Sequence, residues 1–163
     1  MTALISATGL WTPKDSISNQ ELVTAFNAWS DNWNTQHADE IAAGKVEAKP
    51  QSNVDFIVKA SGIKSRFVIS KDPILDPDIM APRIPERPND QISVLAEIAY
   101  KAAKDALTKA GRKAEDVDAV IVACSNLQRG YPAIAVEVQD ALGAGGEAGG
   151  FAFDMNVACS SAT

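Results

Sequence analysis

The stretch Val117-Asp-Ala-Val-Ile-Val-Ala-Cys124 decides the fold class. Only Asp118 interrupts the apolar run, and the run is rich in β-branched residues and too short for a buried helix. It reads as a strand covered on both faces by other elements. Before it, Ile92, Leu95, Ala96, Ala99, Ala103, Ala106, Leu107 and Ala110 recur at helical spacing. Asn89 or Asp90 can cap the start of that helix, and Gly111 stands where its C-terminal cap belongs. Glu97–Lys101 and Asp105–Lys109 are i,i+4 ion pairs on its outer side, each worth about 0.2–0.5 kcal/mol. Its alanine-rich face predicts close packing on something flat, most naturally a sheet. After the strand, a second helix is expected from Pro132 through Ile134, Val138, Ala141 and Leu142 to Gly143. Five of the ten glycines (143, 145, 146, 149, 150) then make a turn into a further strand, Phe151–Val157. Helix, strand, helix, strand with buried strands is the order of an α/β protein with a mostly parallel sheet.

Toward the N-terminus, residues 3–10 read as a short strand that must end before Pro13, which has no N–H to give a ladder. Ser18 followed by Glu21 has the spacing of a capping box, and Leu22, Val23, Ala25 and Phe26 supply the apolar stripe of the helix it opens. Residues 27–53 are polar and read as a helical insertion, with Trp29 and Trp33 four apart on one face. The alternative is a surface decoration, since insertions in surface loops cost little stability. Residues 71–90 hold five of the eight prolines, which predicts a long loop without regular structure. No internal repeat is visible.

The chain has 163 residues, 46% hydrophobic and 22% charged, with a formal net charge of −6. That is the composition of one globular domain, and it speaks against a disordered chain and against a basic nucleic-acid surface. No apolar run reaches the roughly 18 residues of a membrane-spanning helix. The opening Met1-Thr-Ala-Leu-Ile5 lacks the basic flank of a signal peptide, so a cytoplasmic location is expected. The closing Phe151-Ala-Phe-Asp-Met-Asn-Val-Ala-Cys-Ser-Ser-Ala-Thr163 runs from apolar to small residues with no polar tail, and reads as part of a longer chain.

Cys159 is the leading candidate for chemistry. It follows a buried strand and opens the small-residue run Cys-Ser-Ser-Ala-Thr, which looks like the first turn of a helix. There, unpaired N–H groups and the positive end of the dipole favour a nucleophilic thiolate. The competing reading is a cysteine that simply packs. Cys124 ends an apolar strand without a basic neighbour and is expected in the core. The two cysteines are too far apart in sequence, with no further ligand nearby, to make a metal site, so no metal is expected. His37, the only histidine, is expected to be a solvated surface residue. The glycine-rich Gly143–Gly150 precedes a strand, whereas phosphate-cradling loops follow one, so a phosphate site is not expected there.

The chain resembles the N-terminal half of the β-ketoacyl-acyl-carrier-protein synthase III family, condensing enzymes of the thiolase superfamily. The matching stretches, in order, are Ile5-Ser-Ala-Thr-Gly-Leu-Trp-Thr-Pro13, Ser61-Gly-Ile-Lys-Ser-Arg66, the helix ending Ala110-Gly111, Val117–Ala123, Gly130-Tyr-Pro-Ala133 and Phe153-Asp-Met-Asn-Val-Ala-Cys-Ser-Ser161. The match covers most of the chain apart from residues 27–53 and 71–88. The resemblance implies a thiolase-like N-terminal half of an αβαβα layered fold over residues 1–163, with a mostly parallel mixed sheet and the C-terminal half lying beyond this chain. It implies that Cys159 accepts an acyl group from acyl-CoA, and that malonyl-acyl-carrier-protein then condenses with it by decarboxylation. A His and an Asn from the C-terminal half serve that decarboxylation, and His37 matches neither. Phe56 falls where the family places an aromatic stacking on the adenine of CoA; a core residue is the other reading. Ala60 replaces an arginine that contacts CoA phosphates. Tyr131 falls where an aromatic reaches across a homodimer into the partner's acyl pocket; a surface-loop tyrosine is its other reading. Acyl-CoA and acyl carrier protein are the implied partners, with no further cofactor. Other reactions of the superfamily stay open, namely head-to-head acyl condensation and polyketide, quinolone or 3-hydroxy-3-methylglutaryl-type synthesis. A non-catalytic partner subunit would be expected to have lost the nucleophile, which is retained here.

Overall fold

The computed structural model describes residues 2–147 and 149–161 and divides into two compact units, Pro13–Pro85 on the one hand and Met1–Thr12 with Glu86–Thr163 on the other.

The Pro13–Pro85 unit contains β1 (Asp15–Ser18), α1 (Asn19–Gln36), α2 (Ala38–Ala42), α3 (Val54–Ser61), β2 (Ser65–Val68) and α4 (Asp72–Leu75). The expected capping box opens α1: Ser18 Oγ accepts from Glu21 N at 3.2 Å and Glu21 Oε2 accepts from Ser18 N at 2.9 Å. Lys71 also reaches Glu21 at 2.7 Å, and that ammonium together with Ser18 holds the carboxyl down to about 2. β1 and β2 pair antiparallel, with the fully buried Ile17 opposite Arg66. Buried Asn19 donates to Ile63 O at 2.6 Å and accepts from Arg66 Nη2 at 2.9 Å, which fixes the start of α1 to the approach to β2.

Position 27 is no break, because α1 runs straight through it. The segment 49–52 is sewn back onto α1: Asn27 exchanges two hydrogen bonds with Ser52 at 3.0 and 2.8 Å, and Asn34 two with Lys49 at 3.0 and 2.7 Å. Trp29 packs on Phe26, with ring centroids 5.5 Å apart. His37 is not a free surface residue. It is half-buried, stacks on Trp33 at 4.1 Å and sets Nδ1 2.9 Å from Trp33 O, closing the end of α1. The proline-rich stretch 71–90 is irregular except for α4. Pro73 is tolerated in that first turn, where the N–H it lacks has no intrahelical partner anyway.

The other unit contains α5 (Val94–Ala110), β3 (Ala119–Ala123), α6 (Ile134–Leu142) and β4 (Phe151–Met155). α5 starts later than expected. Its cap is Ser93, whose Oγ accepts from Ala96 N at 3.2 Å, while Gln91 N donates to Pro88 O at 3.1 Å in a turn that holds Asn89 and Asp90 outside the helix. Gly111 closes it at φ 62, in the left-handed region that costs glycine nothing. Both i,i+4 pairs form: Lys101 meets Glu97 and Lys109 meets Asp105, each at 2.5 Å.

The strand expected at residues 3–10 is not formed. No strand lies beside it among the described residues, and its backbone is laid on α5 instead. A Cβ on Gly9 would stand 2.1 Å from Ala102 O, and Leu10 N donates to Asp105 Oδ2 at 3.0 Å. The alanine face of α5 therefore meets an extended segment and α6, and its Ala96 and Ala99 join the core cluster that holds Val120 of the sheet.

β3 and β4 are parallel, from Ala119 opposite Phe151 to Ala123 opposite Met155, with α6 as the crossover between them. The core gathers Ala96, Val120, Ile134, Ala135 and Val138, with Val122, Cys124, Leu142 and Ala152 packed against it. The expectation that both faces of the strands are covered fails among the described residues. Side chains alternate along a strand, so one crossover helix covers one face, and Ile121, Phe151 and Phe153 on the other remain exposed.

Candidate active site

β4 delivers the candidate nucleophile. Its pairing with β3 ends where Cys124 N donates to Met155 O at 3.1 Å, and the chain then turns sharply through Asn156 and Val157. Ser161 brackets the turn: its buried hydroxyl accepts from Val157 N at 2.9 Å and donates to Ala158 O at 2.7 Å. Asn156 Oδ1 accepts from Ala158 N at 3.3 Å. Ala158 has φ 50, a left-handed conformation that disfavours a residue with a Cβ and persists only where the surroundings impose it.

Cys159 follows directly, inside a single 3-10 turn, Ala158–Ser160. The expected helical turn from Cys159 to Thr163 runs past the described residues, which end at Ser161. Among the described residues Cys159 is exposed and does not pack in the core. The left-handed bend at Ala158 leaves the Cys159 thiol exposed at the edge of a parallel sheet.

Asp154, two residues before the turn begins, points the other way. Its Oδ2 accepts from Ile134 N at 2.9 Å and its Oδ1 from Ala135 N at 2.8 Å. Ala133, the capping position of α6, has no side chain that could do this, so the strand supplies the cap. The segment carrying Cys159 and the start of α6 are thereby locked together. Asp154 and Ser161 are site residues that the sequence reading missed. The signal available was polar residues flanking Cys159 in an otherwise apolar and small-residue stretch.

The remaining expected residues are placed as follows. Cys124 is half-buried against the core, as expected, and its Sγ donates to Asn126 O at 2.9 Å. Tyr131 lies in the loop between β3 and α6 and is 90% exposed. Phe56 belongs to the Pro13–Pro85 unit, on α3, and is 65% exposed. Ala60 is on the same helix.

The fold defines the class: it is the N-terminal part of a thiolase-type α/β fold. It superposes with a TM-score of 0.62 on the 3-oxoacyl-[acyl-carrier-protein] synthase III of Aquifex aeolicus, at 24% identity over 96% of this chain and 35% of that one. The sequence narrows this further. The chain is 60% identical over 139 residues to the beta-ketodecanoyl-[acyl-carrier-protein] synthase of Pseudomonas aeruginosa, covering 85% of this chain and 39% of that protein. It is 30% identical over 158 residues to the beta-ketoacyl-[acyl-carrier-protein] synthase III of Granulibacter bethesdensis, covering 97% of this chain and 34% of that protein. No family model matches. On sequence and fold together, the chain is a relative of the N-terminal part of the β-ketoacyl-acyl-carrier-protein synthases III. It spans 34–39% of the length of these two curated relatives.

Proposed function

We propose that the protein this chain belongs to is a condensing acyltransferase of fatty-acid synthesis, with Cys159 as the residue that carries the acyl group. The observation that supports this most is the exposed Cys159 on its strained turn, in a chain 60% identical to a β-ketoacyl synthase. The Cys159 thiolate attacks the carbonyl of an acyl-CoA, the C–S bond to CoA breaks, and CoA leaves as its thiolate, which takes a proton from solvent. Malonyl-acyl-carrier-protein then loses CO2, and the carbanion formed attacks the acyl-Cys159 carbonyl. The cysteine thiolate leaves, and a β-ketoacyl-carrier-protein is released. Both attacks build charge on a carbonyl oxygen, which backbone N–H groups at the sharp turn beside the nucleophile are suited to hold.

The name of the Pseudomonas relative specifies a ten-carbon β-keto product, two carbons longer than its acyl donor. An octanoyl-CoA primer is therefore the substrate proposed here. The decarboxylation machinery and the cover for the exposed face of Ile121, Phe151 and Phe153 are assigned to a C-terminal half of the fold. Phe56, exposed on α3, is assigned to contact the CoA adenine, and Tyr131, exposed in its loop, to reach the acyl pocket of a homodimeric partner. The enzyme is proposed to act in the cytoplasm without a further cofactor or metal.

The experiment is to follow CO2 release and product formation by the full-length enzyme supplied with octanoyl-CoA and malonyl-acyl-carrier-protein. Primer-dependent release with a β-ketodecanoyl product supports the reading. Hydrolysis of the primer, or its condensation without loss of CO2, overturns it.

A further inference from the structure

The loop from Ser125 to Tyr131, between β3 and α6, is exposed at every residue but Arg129. That side chain turns inward and is 15% exposed, against a Glu137 side chain that is 8% exposed. Arg129 Nη1 donates to Glu137 Oε1 at 2.8 Å and Nη2 to Pro88 O at 3.2 Å. Glu137 accepts in addition from Ser93 N at 3.2 Å and from the Ser93 hydroxyl. The Arg129–Glu137 pair thus gathers the cap of α5 through the carboxylate, the turn at Pro88 through the guanidinium, and the loop two residues before Tyr131. Two further ties, from Leu95 N to the exposed Gln128 Oε1 at 3.2 Å and from Cys124 Sγ to the exposed Asn126 O at 2.9 Å, reach the loop at exposed residues before Arg129.

Stability alone does not call for such a pair. Two charges taken out of water lose hydration, and apolar residues of similar volume commonly serve as well. What a guanidinium with two separate acceptors adds is direction, because its planar fork fixes where the chain that carries it must run. We propose that the Arg129–Glu137 pair is a positioning device that fixes where the loop presents Tyr131, and through Tyr131 sets which acyl chain lengths the enzyme accepts. This rests on the acyl-pocket role assigned to Tyr131 above. Arg129 and Glu137 do not touch the acyl group; they act through the tyrosine.

The test measures kcat/KM over a series of straight-chain acyl-CoA primers. It uses the full-length enzyme and its Tyr131→Ala, Arg129→Met, Arg129→Lys and Arg129→Met/Tyr131→Ala variants. Tyr131→Ala and Arg129→Met are each expected to change the ratio of kcat/KM between long and short primers by about threefold or more, in the same direction. Arg129→Lys, which keeps the charge but not the fork, falls between Arg129→Met and wild type. The double variant goes no further than Tyr131→Ala, because the two act as a unit. The rate of iodoacetamide modification at Cys159 stays within about twofold throughout, since its turn is held separately by Ser161. A ratio shifted by Tyr131→Ala but untouched by Arg129→Met, or an equal fall for every primer, overturns the positioning role and leaves that of Tyr131 standing. A ratio unchanged in Tyr131→Ala removes the role of Tyr131 and the inference with it. If Arg129→Met does not fold by circular dichroism, Arg129→Lys decides, and a wild-type ratio there overturns the proposal.

Discussion

Cys124 and Cys159 follow adjacent parallel strands of the same two-stranded sheet, one and four residues past their ends, and they differ in everything that matters for chemistry. Past β3 the ladder takes one more bond, from Cys124 N to Met155 O, and the thiol is spent on Asn126 O. The residue stays half-buried and packs against the core. Past β4 the ladder stops, Ala158 reverses the sign of φ, and Ser161 pins the bend so that Cys159 is turned outward. The end of a parallel strand is thus not sufficient to expose a thiol. The turn that follows decides whether the side chain continues the core or leaves it.

Exchanging the two residues for alanine separates them most sharply. In the full-length enzyme, Cys159→Ala should lower condensing activity by at least about a thousandfold, since the acyl group then has no carrier. Cys124→Ala should leave activity within about threefold and cost about 1 kcal/mol of stability. Comparable activity losses in both would dissolve the contrast. Iodoacetamide followed by peptide mapping reads the same difference without mutation, and Cys159 should be modified at least about tenfold faster than Cys124. Asp154→Ala probes what holds the Cys159 side in place. Two N–H groups at the start of α6 lose their acceptor, which should cost about 1–2 kcal/mol in urea unfolding, and unchanged stability would show that the strand does not cap the helix. The smallest effect is expected at Ala158. Replacement by glycine relieves the left-handed strain while adding chain entropy to the unfolded state, so stability should move by less than about 1 kcal/mol, whereas Ala158→Val should clearly destabilise. A large loss with glycine would mean that the methyl group, not the backbone, shapes the turn.

Much of the β3–α6–β4 unit was legible in the sequence because its signals are local: a β-branched run, an apolar stripe closed by Gly143, and glycines before Phe151. Ser18 and Glu21 predicted their own capping box for the same reason. What was not legible depends on partners distant in sequence. Residues 3–10 have strand composition but lie on α5, an arrangement set by Gly9 against Ala102. The start of α5 moved to Ser93 because that residue is held by Glu137, 44 positions away. In the site, Cys159 could be singled out by residue type and position, and the resemblance weighted it further. The Asp154 cap, the Ser161 bracket and the left-handed Ala158 are properties of a folded turn that no periodicity announces.

One measurement tests directly whether Cys159 is the acyl carrier. The full-length enzyme is mixed with octanoyl-CoA in the absence of malonyl-acyl-carrier-protein, quenched in acid and digested, and the acylated peptide is located by mass spectrometry. The octanoyl group should sit as a hydroxylamine-labile thioester on the peptide containing Cys159, with Cys124 unmodified and no acyl-enzyme in Cys159→Ala. Acylation at Cys124, or a stable acyl-enzyme in Cys159→Ala, would contradict it.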